Sequence, residues 1–208
     1  MLVYMLLMLA YNYWLLSKQN IFTFWTWVKP LFLLSGLLSV YFVLPGGFWS
    51  GLFLIFSIAV IYFVETNILL VSEQVNFLIT LLSYFGISMA LAAANFYFLQ
   101  RGALALALLG AATFLIARSS FDYVPQPDQR KNFFSVFLAL SLVELAWALG
   151  FLPFHYSIFS LVLLNVFYCL WILVYYHLFN NLSAKKVSFH ILLSGIIIII
   201  AFISTPWK

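Results

Sequence analysis

Charge is what this sequence most lacks. Nine Lys/Arg and five Asp/Glu are the only charged residues among 208, or 7%. Soluble domains carry about a quarter of their residues charged, so a water-soluble globule of this size could not cover its core. Disorder is excluded as well, because disordered chains need low hydrophobicity and 66% of this chain is hydrophobic. A second cysteine is also missing. Cys169 is alone, which rules out an internal disulfide and makes it a small packing residue in an apolar run. The sequence has no basic cluster with interleaved aromatics outside its apolar segments, and no nucleic-acid module. No phosphate-binding loop, nucleophile elbow, zinc-type histidine spacing or paired catalytic carboxylate motif is present. No apolar segment carries a Lys placed for a retinal Schiff base. No nucleic-acid partner, cofactor or metal is therefore expected.

What is present is length in apolar runs. Mean hydropathy is +1.14, and at ~20 residues per span the chain has room for at most about eight or nine membrane helices. The expected fold is all-α, a polytopic transmembrane helix bundle of about eight spans forming one integral membrane domain over 1–208. Spans are expected at about 2–17, 30–44, 50–71, 76–99, 103–117, 132–152, 156–179 and 187–204. The first is short, about 24 Å by helical rise against a ~30 Å hydrocarbon core; without it there are seven. It lacks the basic n-region and cleavage site of a signal peptide, so it reads as a retained helix. Trp25, Trp27 and Lys29 suit the headgroup level, which places an interfacial stretch at 20–29 and a span beginning at Pro30. The alternative is one longer helix from Phe22, kinked at Pro30. Residues 118–131 form the longest polar stretch and read as a loop.

Eight spans sort the basic residues by side. Lys18, Lys29, Arg118, Arg130, Lys131, Lys185 and Lys186 fall on one side, Arg101 and Lys208 on the other. That seven-to-two split makes the first side cytoplasmic, in the cell membrane, with both termini outside the cytoplasm.

Lipid tails are as apolar as Leu, so membrane helices associate through close packing and polar contacts. Gly86, Ala90 and Ala94 recur every four residues, as do Ala103, Ala107 and Ala111 after the short Gln100-Arg101-Gly102 link. This pattern predicts an antiparallel hairpin with the two sets of small residues on its shared face.

Ionisable groups at mid-bilayer should face protein or water and find a partner. Glu144 and Asn165 both lie about ten residues from the Pro153–His155 turn, so they are expected level, joined by an interhelical hydrogen bond or forming a midplane proton or substrate site. Glu65, with Asn67 close by, sits near the cytoplasmic end of its span. His177 and His190 flank the Asn180–Lys186 turn at similar depth. Together Glu65, His177 and His190 form a candidate proton or metal level, against the plainer reading of interfacial histidines bonded to headgroups or backbone. Asp122 and Asp128 are expected to be solvated in the 118–131 loop.

Three functions remain. The first is a non-enzymatic multi-pass protein, transporter-like or a membrane subunit, meeting lipids and a protein partner through its apolar helix faces or the 118–131 loop. The second is an intramembrane enzyme acting on a lipid through Glu144 or the Glu65/His177/His190 level. The third is a channel, which too few polar residues support. A transporter or enzyme needs a water-accessible cavity reaching Glu144 or Glu65, whereas a scaffold needs those groups sealed and hydrogen-bonded.

Overall fold

A computed structural model describes residues 24–44, 46–67, 73–98, 102–152 and 154–203. Within them lie α1 (Phe24–Val43), α2 (Phe48–Asn67), α3 (Glu73–Phe98), α4 (Gly102–Ser120), α5 (Asp128–Leu149), α6 (Tyr156–Leu178) and α7 (Ala184–Ile203). These are the second to eighth expected segments. The expected span at 2–17 lies outside the described residues. Four helices, α3 to α6, are long and apolar enough to cross a membrane. Shorter apolar stretches occupy 28–43 in α1, 48–63 in α2 and 187–203 in α7. The chain is a membrane protein of the helical type.

Helix α3 is central. It packs against α1, α4 and α6, while α5 is held between α4 and α6. The main core joins α3 to α6 through Tyr84, Leu138, Leu142, Leu163, Phe167 and Trp171, all essentially inaccessible. The Tyr84 and Phe167 rings stack with centroids 4.0 Å apart. A smaller core of Leu33, Leu37, Val60, Ile61 and Ile79 joins α1, α2 and α3. Helix α2 packs on α1 and α3 and α7 on α6; both leave wide apolar faces exposed. Exposed apolar side chains suit lipid as solvent.

Two local expectations change. Helix α1 runs through Pro30, as the alternative of one longer helix has it, so 24–29 belong to the helix and not to a separate interfacial stretch. Proline removes one backbone donor, and burial of Val28, Leu33, Leu34, Leu37 and Val40 holds the helix across that gap. The 118–131 loop shrinks to 121–127, because α4 continues to Ser120 and α5 starts at Asp128. Pro127 sits at the N-cap in extended conformation, and Asp128 in the first turn complements the helix dipole. Phe121 and Val124 anchor the turn in the core, and Gln126 Nε2 donates to the Leu178 carbonyl over 3.0 Å.

The small residues are placed differently too. Helices α3 and α4 do pack as neighbours, but a Cβ on Gly86 would run into the Gly36 backbone of α1. The closest crossing is therefore α1 on α3, backbone against backbone. Ala90 and Ala94 continue that face, lining a hollow with Ser39 and Val43 of α1. Ala103, Ala107 and Ala111 are exposed, and α4 instead buries Leu109, Ala112, Thr113 and Ile116. A small-residue repeat marks a face that allows close approach, but it does not name the helix that approaches.

Candidate functional site

The ends of α1, α3, α4, α5 and α6 meet in a buried polar clasp. Lys29 Nζ donates to Asn76 Oδ1 over 2.8 Å. Asn76 Nδ2 donates to the Ser120 carbonyl over 3.0 Å, and Trp171 Nε1 donates to Ser120 Oγ over 2.7 Å. Beside this chain, Arg118 Nε donates to Asn132 Oδ1 at 2.7 Å and Nη2 to Asp128 Oδ1 at 2.6 Å. Its Nη1 lies 3.8 Å from Asp122 Oδ1, and its guanidinium carbon 4.5 Å from the centre of the Trp25 ring. Lys131 Nζ donates to the Asp122 carbonyl over 3.3 Å. Lys29 Nζ also stands 3.8 Å over the Tyr123 ring.

Lys29, Arg118 and Lys131 are only 6%, 2% and 6% exposed. Buried cations need paired charges and hydrogen bonds; the clasp gives Arg118 and Lys131 carboxylates and Lys29 the Asn76 amide oxygen and the Tyr123 ring face. Asp128 faces water with a side chain 75% exposed, so its ion pair with Arg118 is partly screened. Burial, and then the Asp122 charge, raises the Tyr123 hydroxyl above its usual pKa and keeps it protonated. Asp122 and Asp128 are thus partners of Arg118, while Asp128 is solvated as expected. The residues of the seven-to-two charge split carried the signal. Lys29 of α1, Arg118 of α4 and Lys131 of α5 lie at one end of the bundle, with Asn76 of α3 beside them.

The expected midplane pair does not form. Asn165 is buried, and its Nδ2 donates to the Leu161 carbonyl of its own helix over 2.9 Å. Glu144 is exposed, and no hydrogen bond joins it to Asn165 among the described residues. Helix α5 buries Leu138, Leu142, Ala146 and Leu149. Glu144 is two residues from Leu142 and from Ala146, about 200° around the helix. Rise along the chain sets depth, but rotation sets the face, and Glu144 faces outward. A charged side chain at that depth costs about 2.5–3.5 kcal/mol on insertion scales.

The histidines turn to different neighbours. His177 is exposed, edge-on to Phe134 with centroids 5.4 Å apart. His190 Nδ1 hydrogen-bonds the Tyr168 hydroxyl. Glu65 and Asn67 lie in the last turns of α2, with side chains outside the described residues. Among the described residues no three His, Cys, Asp or Glu side chains could hold a metal ion together.

The opposite end of the bundle is hollow. A cavity of about 260 Å³ opens between α3, α4, α5 and α6, lined by Leu91, Leu106, Leu109, Ala146, Phe159 and Leu163, with Ser88 and Asn95 as polar points. A wider hollow of about 670 Å³ shares Ala92, Asn95, Gly150 and Phe159 with it and adds His155 and Tyr156. His155 caps α6 and its Nδ1 lies 2.7 Å from Ser157 Oγ. Glu144 lines neither hollow. No known protein family, no curated protein and no solved structure matches the chain.

Proposed function

We propose that this is a non-enzymatic multi-pass membrane protein, transporter-like or a membrane subunit, whose α3–α6 cavity takes an amphipathic, lipid-like molecule. The cavity carries the reading: its wall is apolar with a few polar points, the buried Ser88 and the exposed Asn95, as ligand sites are built. The aliphatic part of the molecule lies against Leu109 and Leu163, and its polar group meets Asn95 and His155. The outward position of Glu144 supports a binding role over an enzyme built on that carboxylate, since general acid–base chemistry needs hydrogen-bond reach to substrate. The clasp end is the cytoplasmic one in this reading, by its excess of Lys and Arg.

Photo-crosslinking tests the binding role. A phospholipid with a photoactivatable acyl chain, incorporated into vesicles with the full chain, should attach to residues of α3 to α6 around Ala92 and Leu109. Ala92→Phe, which fills the space shared by both hollows, should abolish the adduct without unfolding the protein. Adducts spread evenly over the lipid-facing helices, unchanged by Ala92→Phe, would sink the proposal.

A further inference from the structure

The second half of α3 stands between two hollows. Ala90, Ala93, Ala94 and Tyr97 line a space of about 480 Å³ against Ser39, Phe42 and Val43 of α1. Ser88, Leu91, Ala92 and Asn95 line the α3–α6 cavity. At about 100° per residue the two sets lie on opposite sides of the helix. Just before this stretch the packing is tight. At Gly86 the α3 backbone meets the Gly36 backbone of α1 with no room for a Cβ, and the Tyr84 ring stacks on Phe167 of α6. Helix α3 is therefore pinned at one level and unsupported on two sides beyond it. Ring contacts hold its end: Phe96 lies 5.7 Å from His155 and 5.8 Å from Tyr156, and Tyr97 lies 5.7 Å from Tyr156, between centroids. Such pairs are worth only about 0.5–1.5 kcal/mol each, and Phe96 and Tyr97 are exposed.

We propose that the Ser88–Phe98 end of α3 is a gate, which tilts about the Gly36–Gly86 contact away from α6 and into the α1 hollow, and so widens the α3–α6 cavity for its ligand. The purpose of the gate rests on the cavity being a ligand site; the motion itself does not. At about 260 Å³ the cavity is smaller than the ~300–1,000 Å³ of sites for drug-sized ligands, so seating an aliphatic chain against Leu109 and Leu163 takes more room than the closed bundle has. The hollow on the far side of α3 supplies the space to move. Small residues let helices approach closely, so Ala90, Ala93 and Ala94 can seat on α1 once Phe96 and Tyr97 leave Tyr156. One set of contacts replaces another, which is what gives a hinged element two positions. Helix α4 begins at Gly102, four residues after Phe98, so its first turn follows the gate.

The test uses the full chain in phosphatidylcholine nanodiscs with Cys169 replaced by Ser. Spin labels at Leu104→Cys, in the first turn of α4, and Ile199→Cys, on the exposed side of α7, read the opening by pulsed electron resonance. Wild type should show two distances. Ala94→Phe, or Ala90→Leu as a smaller filler of the α1 hollow, should leave only the shorter. Phe96→Ala should enrich the longer. Exchange of a phospholipid with a fluorescent acyl chain should slow severalfold in Ala94→Phe at unchanged thermal stability. It should quicken about 2- to 12-fold in Phe96→Ala, the equivalent of one ring contact. The distances are read whether or not lipid is retained, so two distances without bound lipid would sink the cavity reading and leave the gate. A single distance in wild type would overturn the gate even with lipid bound, as would two distances that neither Ala94→Phe nor Ala90→Leu alters.

Discussion

The two ends of this bundle solve the same problem in opposite ways. At the clasp end, five helices meet through Lys29, Asn76, Arg118, Ser120, Lys131 and Trp171, and most polar atoms there have partners within 2.6–3.3 Å. At the other end, the same α3 to α6 diverge around about 260 Å³ of apolar space touched by Asn95 and Ser88. One end is fixed by directional contacts between residues far apart in sequence. The other is held mainly by packing, with Phe96 and Tyr97 of α3 against Tyr156 of α6. A bundle built this way can accept a molecule at its loose end without disturbing its fixed end.

Substitutions sharpen that contrast, and thermal unfolding in detergent or nanodiscs reads each. Arg118→Met should cost most, about 2–3 kcal/mol, because Asn132 and Asp128 lose their shared partner and Trp25 its cation; the exposure of Asp128 keeps the figure below that of a fully buried pair. Gly86→Ala, midway between the ends, should cost about 2 kcal/mol, since its new methyl group would press on the Gly36 backbone. Trp171→Phe removes one buried donor from Ser120 and should cost about 1 kcal/mol. Ala92→Phe at the hollow end should change stability by less than about 1 kcal/mol, because it fills existing space. If Ala92→Phe destabilised the protein more than Arg118→Met, the assignment of a rigid and a loose end would be reversed.

The sequence made the helices legible. From α1 to α7 each helix overlaps its expected segment, because a run of some twenty apolar residues admits little else in a membrane. The short Gln100-Arg101-Gly102 link also foretold that α3 and α4 would be neighbours. What stayed hidden was rotation. Glu144 and Asn165 were placed by counting residues from a shared turn, which fixes depth. The positions of Leu138, Leu142 and Ala146 decided instead which way α5 faces. In a soluble helix the polar side would have revealed that. In a helix apolar all round, neither face is marked. Gly86 illustrates the same gap: its repeat with Ala90 and Ala94 was visible, but its partner Gly36 lies 50 residues away. The clasp was missed for a different reason. A stretch with Asp122, Pro125, Pro127 and Asp128 has the composition of a solvated loop, and most of it is exposed; only the packing of Phe121 and Val124 ties it to the core beside Arg118.

Native mass spectrometry of the protein released from nanodiscs tests the central contrast most directly. Wild type and Arg118→Met should each retain bound phospholipid per chain, since the clasp does not form the cavity, while Ala92→Phe should retain none. Equal retention by wild type and Ala92→Phe would contradict the account.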